Sequence, residues 1–505
     1  MLELRSHVCG KWIAGQGGSQ TLVNPATEAP LATASSEGVD LGAALDYGRR
    51  TGGPALRALS FVERGALLKG IADAMQEARD ELIHLGIVNG GNTRSDAKFD
   101  VDGAIGTLLA YAETGASLGS TRILLDGEGI QLGRSPRFHG QHVLTPRRGV
   151  AVHINAFNFP AWGFAEKAAV ALLAGMPVLS KPATSSAMVA HRIVELIVAG
   201  KLLPEGALQF LVGSARNVVD LLGPQDVLAF TGSGDTGERL RALPNIIRSS
   251  VRVNVEADSL NAAVLGPDVE PRSDMYELFL KEVVRDMTQK AGQKCTAIRR
   301  VIVPAQVAQE VRRDLAELLA VVKVGDPADE DTKMGPLATA SQLAEARGGV
   351  EKLGGKIAFG GTGKILEKGF FISPVLVEDP GPVVHEREVF GPVASLIAYT
   401  DNPGEIVARG NGGLVCSIHS DDQEFLNETV AEVAPYHGRI YLGHPKVELS
   451  PGPGTVLPQL VHGGPGRAGG GEELGGARGL AFYLQRTALE GARPVIAKIT
   501  GAKSP

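Results

Sequence analysis

The sequence predicts an α/β protein built on a parallel sheet, and three features of the chain support this fold class. Short apolar runs alternate with helical segments from Gly149 onward, and a glycine-rich turn follows one of these runs. A second region with its own strands and helices extends from about Leu260 to about Val456. Strands that alternate with helices in this way form βαβ units and a parallel sheet.

Five strands and three helices make up the predicted alternating region. The strands cover residues 150–154, 177–180, 208–212, 227–230 and 251–256, and the helices cover 162–173, 187–199 and 217–222. Ligands of parallel sheets bind just beyond the carboxyl ends of the strands. Functional residues are therefore expected in segments 155–160, 181–185, 213–216 and 231–237.

The remaining segments have simpler patterns. Residues 11–40 predict short strands and turns, and apolar residues near helical spacing predict helices within 41–118. Residues 120–149 alternate and carry several arginines, which indicates a projecting hairpin. Segment 463–479 is rich in glycine but also holds charged residues, and we interpret it as an ordered, closely packed loop.

Composition limits the classes of function. A length of 505 residues suggests two to four domains, and a net charge of −6 gives no basic surface for nucleic acid. Three cysteines without zinc-ligand spacing fit a reducing compartment, with no disulfide framework and no metal site. The N-terminus lacks the apolar run of a signal peptide, and the longest apolar stretch, 168–179, is too short to span a bilayer. We expect a cytoplasmic protein without a membrane partner.

Cys295 is the first candidate for chemistry. It follows an amphipathic stretch, 274–289, and lies in the sequence Lys-Ala-Gly-Gln-Lys-Cys-Thr. Lys290 and Lys294 are nearby cations that are expected to favour the thiolate, which is the nucleophilic form of cysteine. The alternative is a buried cysteine that acts only as a small hydrophobe.

A dinucleotide fingerprint is present at residues 231–237, where Gly232, Gly234 and Gly237 match G-x-G-x-x-G between a strand and a helix. An acid about 20 residues later commonly binds the ribose in such sites, and Glu256 and Asp258 lie near that distance. We assign Glu256 differently, because a carboxylate beside apolar residues at a strand end can act as a base. A solvated strand-end acid is the alternative.

Six short motifs occur along the chain in a fixed order: His-Ile-Asn-Ala-Phe-Asn-Phe-Pro at 153–160, Ser-Lys-Pro-Ala at 180–183, Phe-Thr-Gly-Ser at 230–233, Glu256, Gly-Gln-Lys-Cys at 292–295 and Glu-Val-Phe-Gly-Pro at 388–392. Together they resemble the aldehyde dehydrogenase superfamily over nearly the whole chain. Segment 458–476 further resembles a branch that oxidises CoA-linked semialdehydes in aerobic aromatic degradation.

The resemblance implies a catalytic set of four residues. Cys295 would be the nucleophile, the Asn158 amide would help to hold the oxyanion, and Glu256 would activate the water that releases the product. Lys181 is placed with both the catalytic and the cofactor-binding residues. The expected cofactor-binding set is Lys181, Thr184, Ser185, Gly213, Arg216, Thr231, Gly232, Ser233, Glu388 and Phe390.

Thr184 points to NADP as the cofactor. Members that prefer NAD commonly have Glu three residues after the position of Lys181, where its carboxylate binds the ribose 2′-hydroxyl. Hydroxyl groups at Thr184 and Ser185 can instead donate to a 2′-phosphate, with charge from Lys181 and Arg216. The alternative is continued use of NAD at a permissive site.

The sequence thus predicts an NADP-dependent aldehyde dehydrogenase that acts on a CoA-linked aliphatic semialdehyde and forms a homodimer or larger homo-oligomer. Its expected parts are a Rossmann-type cofactor domain at 1–132 and 150–258, and an α/β catalytic domain at 259–456. Segments 133–149 and 457–505 are expected to supply an oligomerisation hairpin and an active-site loop. The rival functions are a CoA-acylating or broad-specificity aldehyde dehydrogenase, a cysteine hydrolase or acyltransferase, and a non-catalytic scaffold.

Overall fold

The computed structural model describes residues 1–215, 217–448 and 450–501. The strands are β1 Leu2–Leu4, β2 Ser6–Val8, β3 Lys11–Ile13, β4 Gln20–Val23, β5 Pro30–Ala34, β6 Leu124–Gln131, β7 Phe138–Pro146, β8 Ala151–Ile154, β9 Val178–Lys181, β10 Leu208–Phe210, β11 Val227–Thr231, β12 Arg252–Glu256, β13 Ala262–Leu265, β14 Arg300–Pro304, β15 Lys356–Phe359, β16 Val375–Glu378, β17 Val393–Tyr399, β18 Gly413–His419, β19 His437–Gly443, β20 Val461–Gly464, β21 Gly471–Leu474 and β22 Leu484–Ala492.

The α-helices are α1 Leu41–Tyr47, α2 Gly53–Ala58, α3 Phe61–Glu77, α4 Arg79–Gly90, α5 Arg94–Leu118, α6 Trp162–Ala174, α7 Ala187–Ala199, α8 Gly234–Arg241, α9 Pro244–Arg248, α10 Asp274–Thr288, α11 Ala308–Ala320, α12 Ala340–Leu353, α13 Pro403–Ala408, α14 Gln423–Val433 and α15 Arg493–Thr500. Helices α1–α5 confirm the helical prediction for 41–118.

The first large sheet has seven strands in the order β12-β11-β8-β9-β10-β2-β3. Strands β8 to β12 pair in parallel, which confirms the predicted βαβ region, and β2 and β3 add antiparallel strands at one edge. Helix α6 packs against this sheet with all of its residues buried, and it ends at Gly175 with a left-handed φ of 92°. Glycine adopts that conformation without steric cost.

One predicted helix is absent. Residues 217–222 contain only a short 3-10 turn, Val219–Leu221, in place of an α-helix. Gly223 and Pro224 follow directly, and proline disfavours helical geometry in the residue before it, so the segment cannot extend into a helix.

The second large sheet also has seven strands, in the order β15-β16-β17-β14-β13-β18-β19. Helices α10 and α11 pack on it through buried residues that include Phe279, Val283 and Leu315. Helix α10 matches the amphipathic stretch predicted before Cys295, and its apolar face is the one that is buried.

A separate sheet of three strands has the order β22-β7-β6, and it shares no strand with the two large sheets. The hairpin of β6 and β7 lies within the predicted 120–149, and β22 pairs antiparallel with β7 along its full length. The glycine-rich segment forms the antiparallel hairpin β20–β21, so the prediction of an ordered loop is confirmed. Within the described ranges, no helix has the length and apolarity needed to cross a membrane.

Candidate active site

A pocket lies where the carboxyl ends of the first sheet meet the loop after α10. Asn158 from the loop after β8, Thr231 at the end of β11 and Glu256 at the end of β12 line it. Cys295 and His462 line the same pocket from the other side. The structure therefore brings together three of the four predicted catalytic residues.

The backbone around Cys295 is fixed by two features. The turn Gln289–Gly292 after α10 places Lys290 and Ala291 in the left-handed region, with φ values of 52° and 51°. The side-chain amide of Asn261 then donates to the carbonyl oxygen of Cys295 at 2.8 Å and to that of Ala297 at 2.9 Å. These contacts hold the segment that carries the thiol.

The two neighbouring lysines do not activate the thiol, so that prediction is wrong. The Lys294 Nζ donates to Asp286 at 2.7 Å and to Gln289 at 2.9 Å, and the Lys290 Nζ lies 4.5 Å from the centre of the Phe159 ring. Burial, and then the charge of Glu256, raise the pKa of Cys295 to about 12. The thiol is therefore protonated at rest.

His462 is the partner of the thiol, and the sequence analysis did not identify it. Its Nε2 lies 3.7 Å from the Cys295 Sγ and 3.1 Å from the Glu256 Oε2. The second contact is close enough for an ion pair but is not aligned as a hydrogen bond, so neither Glu256 oxygen has such a bond among the described residues. The only signal in the sequence was that His462 lies in segment 458–476, directly before the glycine-rich stretch that begins at Gly463.

Opposite charges decide the protonation of this buried pair. Burial disfavours both charged forms, but Glu256 and Cys295 outweigh it and raise the pKa of His462 well above its usual range. Burial likewise opposes ionisation of Glu256, but His462 and then Lys167 lower the pKa of that carboxyl. At neutral pH the pair is a carboxylate and an imidazolium.

Glu256, Cys295 and His462 each offer a ligand atom, and these atoms lie within 4.8 Å of one another, a spacing that also suits a metal ion. The three residues are far apart in the sequence, so the sequence did not reveal this cluster.

A second buried charge network adjoins the pocket, and it was also missed. Lys167 Nζ lies 2.8 Å from Glu166 Oε1 and 3.0 Å from Glu473 Oε2, and the Asn254 amide donates to Glu473 at 3.1 Å. Burial raises the pKa of Glu473 to about 8 despite Lys167. Glu166, Glu256 and Glu473 offer oxygens within 4.8 Å of one another, so a proton can be shared among closely spaced carboxyls.

Lys181 lies beside the predicted cofactor residues and not in the catalytic pocket. It ends β9, and its Nζ has no hydrogen-bond or ion-pair partner in the described part of the chain. Burial lowers its pKa to about 8. The Thr184 hydroxyl, three residues on, donates to the Gly213 carbonyl at 3.1 Å. Lys181, Thr184 and Gly213 are thus three of the predicted cofactor-binding residues that the structure brings together. Lys181 is not among the residues that line the catalytic pocket, so the structure does not support a catalytic role for it.

The dinucleotide fingerprint has the predicted strand–turn–helix context, since it joins β11 to α8. The Gly234 N–H donates to the Asp258 Oδ1 at 3.0 Å, so Asp258 satisfies the first turn of α8. Ser233 is exposed, and its hydroxyl donates to that of Thr236 at 3.0 Å. The Thr231 Oγ1 is buried and has no hydrogen-bond partner among the described residues.

Glu388 and Phe390 lie on the opposite side of the site. Glu388 accepts from the Arg299 guanidinium at 3.0 Å and from the Ser259 N–H at 3.0 Å, which orients its carboxylate. The Phe390 ring meets the Phe157 ring edge-on at 5.9 Å, next to Asn158 in the chain. Ser185 lies in the 3-10 turn Thr184–Ser186, whereas Arg216 falls outside the described residues.

These residues fit a nicotinamide dinucleotide. An unpaired, largely buried cation at Lys181 suits an anionic ligand, and strand ends are where ligands of such sheets bind. Gly213 has a φ of 87°, and a Cβ there would meet the backbone of Ser35 and Ser36, so only glycine allows this close approach.

The sequence profile of the aldehyde dehydrogenase family matches residues 12–489. The 3,4-dehydroadipyl-CoA semialdehyde dehydrogenase of Aromatoleum evansii is 44% identical over 479 residues, which cover 92% of this chain and 93% of that protein. The alpha-ketoglutarate semialdehyde dehydrogenase of Haloferax volcanii is 29% identical over 85% of this chain and 88% of its own length.

Solved structures agree with the sequence comparison. A lactaldehyde dehydrogenase superposes with a TM-score of 0.86 at 25% identity, covering 97% of this chain and 99% of that one. A betaine aldehyde dehydrogenase point mutant from Staphylococcus aureus in complex with NAD+ superposes with a TM-score of 0.85, covering 97% of this chain and 98% of that one. At 21% identity the second match supports the fold alone.

The chain belongs to the aldehyde dehydrogenase family. It is an enzyme of aldehyde oxidation, and its fold is that of the family. The family uses NAD or NADP as the cofactor.

Proposed function

We propose that this enzyme oxidises a CoA-linked aliphatic semialdehyde to the carboxylic acid with NADP, with 3,4-dehydroadipyl-CoA semialdehyde in aerobic benzoate degradation as the best candidate. The catalytic part of this proposal rests on one observation: Cys295, Glu256 and Asn158 line the same pocket. The substrate assignment rests on the 44% identity to the Aromatoleum evansii protein over most of both chains.

The first half of the reaction is an attack by Cys295 on the aldehyde carbon, which forms a thiohemiacetal. The oxyanion is placed for donation from the Asn158 side-chain amide and the Cys295 backbone N–H, and each such donor is worth about 3–4 kcal/mol of barrier. The bound nicotinamide supplies the hydride acceptor. Loss of hydride leaves an acyl thioester on the Cys295 Sγ.

The second half releases the acid. Glu256 lies within 4.8 Å of the thiol and is a carboxylate at neutral pH, so it can take a proton from the attacking water. Asn158 and the Cys295 N–H serve the same oxyanion role in this step. This presence of a base beside the thioester favours hydrolysis over transfer of the acyl group to CoA.

The choice of NADP rests on Lys181 and Thr184. A largely buried amine without a counter-charge gains much from a phosphate, because its desolvation is otherwise uncompensated. Thr184 stands where an acid would repel that phosphate. Its hydroxyl donates its proton to the Gly213 carbonyl, so the support comes from the lack of a carboxylate at this position and not from a hydrogen bond by Thr184. Both features support a 2′-phosphate at this end of the cofactor.

The pocket lining suits the aliphatic end of the substrate, and we propose that a CoA portion stays outside it; the CoA assignment itself rests on the Aromatoleum evansii relative. Its apolar lining includes Phe99, Phe159, Trp162 and Val456, which suit an aliphatic chain. Ligand pockets are typically lined by apolar and aromatic side chains in this way. The highly polar adenine nucleotide of CoA would therefore remain near the surface while the aldehyde end reaches Cys295.

Steady-state turnover tests this proposal. Reduced nicotinamide is followed with NADP and with NAD, for free aldehydes and for their CoA-linked counterparts of equal chain length. The proposal expects the highest kcat/KM for the CoA-linked semialdehyde with NADP. Preference for free aldehydes would support the broad-specificity alternative, and a CoA thioester as product would support the acylating one.

A second candidate function is favoured by one contact. A cysteine within 3.7 Å of a buried histidine is an arrangement that cysteine hydrolases use, so hydrolysis of an activated ester without cofactor is a candidate activity. Ester hydrolysis with no aldehyde oxidation under any cofactor would favour this class.

We also propose the domain organisation predicted from the sequence, with the β22-β7-β6 sheet as the contact between copies. Leu125, Ile130 and Phe138 of this sheet are exposed apolar residues, which supports that role. Sedimentation of the wild-type chain and of a Phe138→Asp variant tests it, because the variant should dissociate.

A further inference from the structure

We propose that His462 is a further catalytic residue, which relays the Cys295 proton to Glu256 and then remains as the imidazolium counter-ion of the thiolate. The inference deepens the proposed function, because it assigns how the nucleophile of that same site is formed. It starts from one geometric fact. A single nitrogen, His462 Nε2, is near both the Cys295 Sγ, at 3.7 Å, and the Glu256 Oε2, at 3.1 Å.

The resting arrangement places two protons among three groups. His462 and Cys295 hold them, and Glu256 is ionised, which gives the trio a net charge of zero. A thiol whose pKa is raised to about 12 is almost wholly protonated at neutral pH and is a poor nucleophile. Since Lys290 and Lys294 are engaged elsewhere, the thiol needs another source of activation.

The relay balances in atoms and charge. With a small rotation that aligns the Nε2–H with the Glu256 Oε2, 3.1 Å away, the Nε2–H bond breaks and its proton bonds to that oxygen. The Cys295 S–H bond then breaks, and that proton bonds to the vacated Nε2. The products are a neutral Glu256 carboxyl, an imidazolium and a thiolate, so the net charge of the buried trio is again zero. No charge enters or leaves the low-dielectric pocket, which avoids the main cost of making a buried thiolate. After the thiolate has added to the aldehyde and hydride loss has left a neutral thioester, one proton is in excess, and Glu256 releases it to solvent and becomes the carboxylate that serves as base for hydrolysis.

Other charged groups around the trio are compatible with this step. Glu473, directly opposite His462 in the hairpin, is paired with Lys167, and Lys167 is also paired with Glu166. Arg439 on the neighbouring strand β19 donates to the carbonyl oxygens of Pro453 and Thr455. These cations are held by other acceptors, so His462 is the one cation within 4 Å of Sγ among the contacts of the described residues.

The relay makes an unusual prediction for the pH dependence of thiol reactivity. A proton that moves within the trio leaves the thiolate fraction independent of solvent pH, as long as the trio keeps its two protons. A thiol that ionises to solvent instead gains about tenfold in thiolate per pH unit below its pKa. The two cases are therefore distinguished by slope and not only by magnitude.

Alkylation of the cofactor-free enzyme by iodoacetamide between pH 6 and 8 tests the proposal, in parallel samples with and without EDTA and with the Cys295 peptide followed by mass spectrometry. We expect a flat rate profile in the wild type. In His462→Gln the profile should rise about tenfold per pH unit, and the rate at pH 7 should fall at least about tenfold. His84→Gln, at an exposed position, is the matched control and should behave as the wild type.

Three outcomes would overturn the proposal. A wild-type alkylation rate that rises about tenfold per pH unit would overturn it, even if the His462→Gln variant fails to fold. An alkylation rate that stays independent of pH in a folded His462→Gln variant would also overturn it. Alkylation that occurs only after EDTA is added would show that the trio holds a metal ion. Neither aldehyde nor cofactor is used, so failure of the proposed substrate or of NADP preference leaves this result unaffected.

Discussion

His462 and Glu473 occupy directly opposite positions in the antiparallel pair β20–β21. Side chains at opposite positions of such a pair project from the same face of the hairpin. One of them contacts Cys295 and Glu256, and the other contacts Lys167. A single hairpin therefore supplies a charged group both to the nucleophile and to the buried acid–lysine network behind the base.

Cys295→Ala should abolish aldehyde oxidation while leaving NADP affinity nearly unchanged, because the thiol forms the covalent intermediate and does not hold the cofactor. Turnover and the dissociation constant of NADP are the two measurements. Cys9→Ala is the matched control, since Cys9 is a partly buried thiol outside the pocket, and it should keep full activity. Substantial turnover in Cys295→Ala would remove this residue from the mechanism.

Glu256→Gln should release one equivalent of NADPH in a burst and then stall as the thioester. The amide can neither take a proton from water nor accept the relayed proton from His462, so hydrolysis stops and thiolate formation slows, whereas hydride loss itself does not require it. Rapid-mixing absorbance measures the burst, and mass spectrometry should find the acyl group on Cys295. Glu238→Gln, at an exposed position, should show continuous turnover. Continuous turnover in Glu256→Gln would show that Glu256 is not the base for hydrolysis, and a burst as fast as in the wild type would contradict the relay through His462.

Thr184→Glu should shift the cofactor preference from NADP toward NAD. The new carboxylate would repel a 2′-phosphate and accept from a free 2′-hydroxyl, which we expect to change the ratio of kcat/KM values by ten- to a hundredfold, about 1.4–2.8 kcal/mol. The ratio is measured at equal ionic strength, and the exposed Thr400→Glu serves as control. An unchanged ratio would show that Thr184 does not face the 2′ position.

Lys167→Met should lower the free energy of unfolding by about 3–5 kcal/mol, because it leaves Glu166 and Glu473 buried without their cation. The pKa of Glu473 is already raised, so its folded form binds a proton more readily than its unfolded form. The stability of the variant should therefore recover as pH falls. Chemical denaturation at several pH values measures this.

Lys69→Met is the control for that measurement. Lys69 forms an ion pair with Asp73 at 2.6 Å, but both side chains are more than half exposed, at 62% and 55%. Exposed ion pairs contribute no more than about 1 kcal/mol to the free energy of unfolding. Equal losses in the two variants would contradict the role assigned to the buried network.

The sequence was informative wherever local pattern determines structure. The strand that ends at Glu256 and the helix before Cys295 follow from apolar spacing, and the observed elements agree with it. His462 could not be found in this way, because it is 167 residues from Cys295 and reaches the thiol only through the packing of a glycine-rich hairpin. Nothing in the pattern of a single segment encodes such a contact.

The expectation for Lys294 failed for a related reason. Lys294 is next to Cys295 in the sequence, which predicts a cation near the thiol. Adjacent side chains on an irregular turn, however, point in different directions. Lys294 instead reaches back to Asp286 on helix α10, where it is wholly buried. Charge neighbours along the chain are therefore a weak guide to the electrostatics of a site, whereas strand ends in a parallel sheet are a strong one.

The late position of the β20–β21 hairpin in the chain has a consequence for biosynthesis. Cys295, Glu256 and Asn158 all leave the ribosome before His462 and Glu473 do. Until residues 461–474 emerge and fold, the thiol lacks its imidazolium and Lys167 lacks one of its two acids. A chain truncated before residue 461 would therefore lack the histidine that the proposed relay requires, although Cys295, Glu256 and Asn158 would all be present.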